Sequence, residues 1–455
     1  MIRKIICTIF MSHSCLLLAQ NQKETGEKFL RSFFNDQIEE STRYLSEAIK
    51  DKVSVPVLQQ AKGQITLMNG HFENILESKE KDETPYHSVF YKVQFSKNIS
   101  AIKVVFDSSQ KIVGFFNDKY PEEAKQTRPQ TPQPPFNYKT EDFTLVNPKD
   151  KNTLAGTLTL PKNATSTTPV AILITGSGQQ NRNEEIFGHH PFWVIADDFA
   201  KKGIGTLRMD DRGIGSSTAG QKNDTSYNYA TDIQAAVQYL RHKGYKNIGL
   251  IGHSEGGLIA AIVGEHDPKL KFIISLAGPG TSIDELMLKQ NEKILKGHMT
   301  AEQLHNELDT KKKLFSFIKN YKGTNLAEDF QSYLNKNFPT MSSVEKEAFN
   351  SITQAWWVYF LKFEPEKYWS KIKTPVLALN GELDLQVDAE SNLKAIETAL
   401  KKGKNKNYKI TKLPQLNHLF QTAKTGAPSE YDQIEESFSP EVLKIMSEWI
   451  LSLKL

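Results

Sequence analysis

The chain has 455 residues, of which 38% are hydrophobic and 24% charged. That length exceeds what one ordinary core fills, so two domains are expected, and the composition excludes collagen, coiled coil and wholesale disorder. A formal net charge of +4 gives no steering toward nucleic acid or a membrane surface.

The first element reads as a targeting segment. Arg3 and Lys4 precede an apolar, uncharged run from Ile5 to Leu18, and the small Ala19 stands before Gln20. This pattern predicts a secretory signal peptide over residues 1–19, although Leu17 is larger than the small residue such a cleavage site favours. Cys7 and Cys15 are the only cysteines, so the mature chain would carry none. It would have nothing to mispair in an oxidising compartment, and a secreted or periplasmic location is expected. Cys15 raises lipidation as the lesser alternative, because Ser12-His13-Ser14 is a poor lipobox. No later stretch is long and apolar enough to span a bilayer.

Residues 24–50 place Phe29, Leu30, Phe33, Phe34, Ile38, Leu45 and Ile49 at helical spacing, and a second helix is expected from Val55 to Leu67. The period then changes. Tyr86 to Phe95 alternates, with Val89, Tyr91, Val93 and Phe95 on one face, and strands from Ala101 to Phe106 and Lys111 to Phe116 flank a turn. Helices followed by an antiparallel meander predict a small α+β domain over residues 20–118. Pro121, Pro129, Pro132, Pro134 and Pro135 mark residues 119–140 as a stiff linker.

From 141 to 455 the pattern is strand–helix alternation. Strands are expected at Phe143–Val146, Leu154–Leu160, Pro169–Thr175, Gly203–Met209, Asn247–Ile251, Phe272–Leu276, Val376–Leu379 and Tyr408–Ile410. Helices are expected at Tyr227–His242, after Glu255 and at Pro440–Leu453. Such alternation predicts a mostly parallel sheet covered on both faces. Between about 281 and 366 it gives way to a helical stretch rich in lysine, leucine and aromatics, expected as a cap over the sheet.

Gly252-His253-Ser254-Glu255-Gly256-Gly257 follows an apolar strand and opens a helix. A serine on so sharp a turn stands clear of the sheet, and the flanking glycines are needed where no β-carbon fits. The helix N-terminus behind it favours developing negative charge. Ser254 is therefore the candidate nucleophile. A serine hydroxyl needs a base to take its proton, and in this arrangement the partners follow in the order serine, acid, histidine. Asp384, after the Val376–Leu379 strand, is the candidate acid, with Glu382 in the same loop as its competitor. His418 follows the last strand and is the candidate base. An oxyanion would need two backbone N–H groups: that of Glu255, and one from the Gly176-Ser177-Gly178-Gln179 loop, with Ser177 favoured and Gln179 second.

Three other features carry less. Asp210-Asp211-Arg212-Gly213 reads as a turn braced by an arginine–carboxylate pair. His189-His190 lacks a third ligand at zinc-like spacing, and no cofactor or metal is implied. The aromatic cluster Trp356, Trp357, Tyr359, Phe360, Phe363, Tyr368 and Trp369 is part core and part candidate acyl pocket.

From about Glu141 onward, the segments Thr175–Glu184, Met209–Ser216, Gly252–Gly257, Leu276–Gly280 and Gly381–Asp384 resemble the bacterial α/β-hydrolases of secreted esterase type. The resemblance implies the α/β-hydrolase fold and carboxylesterase activity, with Ser254, Asp384 and His418 as nucleophile, acid and base. It departs at Asn183, where that group more often has aspartate. The Val104–Asp107 and Ile112–Phe116 hairpin resembles a small domain of unknown function found before such hydrolases, and implies no activity. The expected substrate is a small-molecule ester; no nucleic-acid partner is expected. A serine peptidase of the same fold is the alternative, with Glu184, Glu185, Asp284 and Glu285 as candidate handles for a charged substrate terminus. A binding module that had lost its chemistry is disfavoured by the intact trio of residues.

Overall fold

The computed structural model describes residues 22–455, apart from 51–52, 84–85, 108, 119, 121–127 and 298. Residues 1–19, read above as a signal peptide, and Cys15 among them lie outside the described residues. Contacts divide the chain into two compact units, one of residues up to 126 together with 334–349, the other of 127–333 with 350–455.

In the first unit, a helix over residues 22–34 presents Phe29, Leu30, Phe33 and Phe34 to a four-stranded antiparallel sheet. The strands are β1 (Phe72–Glu83), β2 (Tyr86–Phe95), β3 (Ile99–Phe106) and β4 (Ile112–Asp118), in that spatial order. Val89, Tyr91, Val93 and Phe95 of β2 are buried with Ile102, Val104 and Phe106 of β3, as period-two alternation over a half-buried sheet requires. The helical pattern of residues 24–50 is not one helix. It breaks at Asp36, whose φ is 64°, and continues in short pieces at Ile38–Ser41, Thr42–Tyr44 and Glu47–Lys50. Aspartate tolerates the left-handed region that most residues avoid. Strand β1, Phe-Glu-Asn-Ile-Leu-Glu-Ser-Lys-Glu-Lys-Asp-Glu, escaped the sequence reading because an edge strand is free to be charged.

The second unit holds an eight-stranded sheet, ordered β12-β11-β10-β9-β7-β8-β6-β5. Its strands are β5 (Tyr138–Val146), β6 (Thr153–Pro161), β7 (Val170–Ile174), β8 (Gly205–Met209), β9 (Ile248–His253), β10 (Phe272–Leu276), β11 (Val376–Gly381) and β12 (Tyr408–Leu413). β7 to β12 pair in parallel, while β6 joins β8 and β5 antiparallel. β7, β9, β10 and β11 are buried along their whole length, which is why they read as continuous apolar runs. Helices Pro191–Lys201 and Ala389–Lys402 add to the expected Ser226–His242, Glu255–His266 and Pro440–Ser452 in covering the sheet. This is the α/β-hydrolase architecture. The chain leaves β7 toward β8 on one side and returns to β9 on the other, so the strand order reverses between β7 and β9. In open parallel sheets the crevice beyond the strand ends at such a point is where ligands bind.

Between β10 and β11 the expected helical insertion is present as Ile283–Leu295, Ala301–Asn320, Leu326–Asn337, Ser343–Asn350 and Ala355–Lys362. Within the proline-rich segment, Arg128 donates to the carbonyls of Phe187, Asp432 and Ile434. Gln130 donates to the Phe438 carbonyl and accepts from the Ser437 and Phe438 amides.

The Asp210–Gly213 turn is braced more heavily than its sequence suggested. Arg212, 1% exposed, meets Asp232 at 2.5 Å, Asp150 at 2.7 Å and Asp224 at 3.0 Å. Arg182 pairs with Asp210 at 2.7 Å. A buried cation shared by three carboxylates is costly to remove, because the carboxylates are then left unpaired. Arg212→Leu is expected to lower stability by about 3–5 kcal/mol, read as a shift of the urea unfolding midpoint.

Candidate active site

The site is built on the turn between β9 and the helix Glu255–His266. Ser254 sits at φ 53° and ψ −122°, a left-handed conformation that costs a non-glycine residue of order 1–3 kcal/mol. Its amide donates to the Leu276 carbonyl at 2.8 Å, and its own carbonyl accepts from the Gly257 amide at 2.9 Å. A β-carbon on Gly256 would lie 2.2 Å from the Ile174 carbonyl oxygen. The helix can therefore cross β7 closely only with glycine there.

His418 and Asp384 come from the loops after β12 and β11. His418 Nδ1 lies 2.8 Å from Asp384 Oδ2. The other carboxylate oxygen, Oδ1, accepts from the amides of Gln386 at 2.8 Å and Val387 at 2.9 Å. Asp384 is fully buried and His418 is 3% exposed. The carboxylate accepts, so Nδ1 carries the proton of the neutral ring and Nε2 is left as its basic nitrogen. Glu382, the competing acid, is exposed.

Ser254, His418, Ser177 and Glu255 all line one cavity of about 340 Å³, beneath cap residues Leu286, Met287, Trp356, Trp357 and Phe360. The loop after β7 approaches the turn closely: a β-carbon on Gly176 would lie 3.3 Å from Ser254 Cβ. Gly178, at φ 91°, lets the backbone turn there. The Glu255 amide is in the first helical turn, where no intrahelical carbonyl reaches it. Gln179 turns away, its side chain donating to the Arg212 carbonyl at 2.6 Å.

The Glu255 side chain is buried. Its Oε1 accepts from Ser226 Oγ at 2.5 Å and from Trp356 Nε1 at 2.9 Å, and the Ser177 side chain also bonds it. Burial pushes its carboxyl above the usual range, against these hydrogen bonds, which favour the anion. One carboxyl thus joins the turn, the loop after β7 and the cap.

A second buried pair was not anticipated. His253 Nδ1 lies 2.9 Å from Glu184 Oε1, and its Nε2 lies 2.9 Å from the His418 carbonyl oxygen. The same Glu184 oxygen accepts from the Gly176 amide at 2.8 Å. No spacing rule links Glu184 to His253; only the sheet brings them together. Asn183, the departure from the resembled group, accepts from Arg208 and supports the loop. His189 is buried, with Ser437 Oγ and the Tyr431 carbonyl each 2.9 Å from its ring nitrogens.

The loop that carries His418 is held by its neighbour. Buried Asn417 accepts through Oδ1 from the Leu419 amide at 3.0 Å and the Gln421 amide at 2.9 Å, and its Nδ2 donates to Gln421 Oε1 at 2.9 Å. Asn417→Ala leaves those donors unsatisfied and is expected to cost about 1–3 kcal/mol, measurable by denaturant unfolding.

Residues 26–115 match the family described as a protein of unknown function (DUF3887). The chain is 23% identical over 265 residues to Esterase EstD of Thermotoga maritima, covering 58% of this chain and 61% of that one. It thus spans about three fifths of the length of that relative. It is 26% identical over 248 residues to the bifunctional esterase/perhydrolase DCH of Acinetobacter calcoaceticus, covering 49% of this chain and 82% of that one. The solved structure of Est1E from Butyrivibrio proteoclasticus is similar at a TM-score of 0.40 and 18% identity, over 69% of this chain and 98% of that one. Residues 170–411, over half of the chain, match the family described as alpha/beta hydrolase fold, and the protein belongs to that family.

Proposed function

We propose that the protein hydrolyses carboxylic esters of small molecules through an acyl-enzyme, with Ser254 as nucleophile, His418 as base and Asp384 as the acid that orients it. The observation that carries this reading is the 2.8 Å contact of His418 Nδ1 with Asp384, His418 lining the same cavity as Ser254. In the first half-reaction Ser254 Oγ bonds to the ester carbonyl carbon and its proton passes to His418 Nε2. The amides of Glu255 and Ser177 stabilise the oxyanion. The carbon–alkoxide bond breaks and the alcohol leaves with the proton from His418. A water then repeats the sequence, its proton going to His418 and returning to Ser254 as the carboxylic acid departs. The relatives named as esterases support the same chemistry.

The cavity walls favour an uncharged substrate with an apolar acyl group. A peptidase that anchors a charged terminus would need a free carboxylate at the cavity; three of the four candidates are otherwise engaged, and the fourth, Glu285, does not line it. Glu184 holds His253 and the Gly176 amide. Asp284 pairs with Lys319 at 2.7 Å. Glu185 accepts from Asn181 at 3.0 Å, and Glu285 is exposed. Export is part of the proposal and rests on the sequence of residues 1–19; no helix among the described residues is long and apolar enough to cross a membrane.

A fluorophosphonate probe, which reacts with an activated serine, is expected to label the protein at Ser254. Ser254→Ala should abolish labelling and lower the rate on a p-nitrophenyl ester by about 10⁴-fold or more; labelling that survives would refute the assignment. Asp384→Asn should keep the fold but hold His418 in the wrong tautomer, losing about 10³- to 10⁴-fold in rate. Glu382→Gln should cost far less, and a reversed pair of losses would make Glu382 the acid.

A further inference from the structure

We infer that Glu184 and His253 form a buried charged pair that positions His418 and the oxyanion-forming loop relative to one another. The inference rests on the roles proposed for Ser254 and His418, and assigns two further positioning residues to that site.

The hydrogen-bond geometry requires one proton on Nε2 of His253 and one between Nδ1 and Glu184. A carbonyl oxygen only accepts, so the 2.9 Å contact of His253 Nε2 with the His418 carbonyl requires a proton on Nε2. The other ring nitrogen faces Glu184 Oε1 at 2.9 Å. That oxygen already accepts from the Gly176 amide at 2.8 Å. A neutral imidazole has one N–H, yet both nitrogens of His253 face acceptors. A proton must therefore lie between Nδ1 and Glu184, and the raised proton affinity of His253 places it on the ring, as an imidazolium against a carboxylate.

The surroundings act in the same direction. Burial opposes the charged form of His253, whereas Glu184, the His418 carbonyl and the Asp384 charge favour it, and its pKa is raised on balance. The titratable groups that face the ring are Glu184 from the loop after β7, and His418 and Asp384 from the loops after β12 and β11. A histidine with a raised folded pKa contributes stability in full below its unfolded value, and that contribution is lost as pH rises through the folded value. The pair therefore loosens as pH rises through the raised value of His253.

The chain of contacts runs from the Gly176 amide to Glu184, from Glu184 to His253, and from His253 to the main chain of His418. It runs along the cavity that Ser254 lines and links the loop that carries Ser177 to the residue that carries the base. The two imidazole rings are 4.8 Å apart between centroids. A cation at that distance opposes a second positive charge on His418, so it favours return of the proton to the leaving alcohol. Neither His253 nor Glu184 is asked to exchange a proton with substrate.

Two arms test the inference. His253→Gln and Glu184→Gln, with the fold checked by circular dichroism, are expected to lower kcat on a p-nitrophenyl ester by about 10-fold with KM changed by less than about twofold. Both should move the acid limb of the kcat/KM profile to higher pH by about half to one unit. A purely structural role would lower stability and leave that limb in place. Folded variants with the wild-type profile and kcat would overturn the inference. The second arm uses the unaltered protein and does not depend on turnover or on the variants folding. Neutron diffraction from deuterated crystals at about pH 6 should show deuterium bonded to both Nε2 and Nδ1 of His253. A deuterium bonded to Glu184 Oε1, or none between the two atoms, would overturn it. Failure of the fluorophosphonate to label Ser254 would refute the proposed function instead, while leaving the neutron result readable.

Discussion

The architecture of the site depends on one close approach: the helix Glu255–His266 crossing β7 where no β-carbon fits. Gly256 sits against the Ile174 and Thr175 carbonyls, and Gly257 against the backbone of Gly278, where a β-carbon would come within 2.8 Å of Gly278 Cα. With the helix this near the sheet, the chain leaving β9 must reverse within one residue, and Ser254 takes the strained conformation. The strain persists because the surroundings over-determine it. Two of its backbone hydrogen bonds, to Leu276 and from Gly257, tie the turn to β10 and to its own helix. The result is a hydroxyl fixed at the reversal of strand order between β7 and β9, with a helix N-terminus behind it.

Around that turn the unit buries several ionisable groups, and each is held by specific partners. A buried ionised group without a partner would shift its pKa and neutralise. Glu255 has Ser226, Trp356 and Ser177. Glu184 has His253 and the Gly176 amide. Asp384 has His418 and two amides, and Arg212 has three aspartates. These groups lie on different loops, so satisfying them fixes the loops relative to one another. The cap is included: Trp356 reaches Glu255, while Lys289 and Lys293 of the helix Ile283–Leu295 each lie 2.7 Å from Asp388, near the acid loop. Lys293 also donates to the Asp384 carbonyl at 3.2 Å. The cap is thus tied by polar contacts both to the turn at Ser254 and to the loop of Asp384.

Much of the fold was legible because burial on both faces leaves a plain signature. β7, β9, β10 and β11 appear as short apolar runs, and the small domain's β2 and β3 as period-two alternation. Features whose reasons lie outside the segment were not legible. Strand β1 carries charges along its length because one edge meets solvent, and nothing local marks it as a strand. The break at Asp36 interrupts a helical hydrophobic period that continues on both sides of it. The proline-rich segment reads as a spacer, yet Arg128 and Gln130 are bonded to backbone far along the chain.

The sequence by itself determined the order of strands and helices, the glycine-flanked turn at Ser254, and the succession of serine, acid and histidine along the chain. Each of these is written in neighbouring residues, where hydrophobic period and glycine sterics act locally. That Asp384 and not Glu382 faces His418, that Gln179 turns toward Arg212, and that Glu184 meets His253 follows from the packing of the folded chain alone. Those outcomes depend on which side chain of a loop points inward after the sheet has formed. A hydrogen bond between residues 69 positions apart, as between Glu184 and His253, leaves no trace in local pattern, because its partners become neighbours only when β7 and β9 lie side by side.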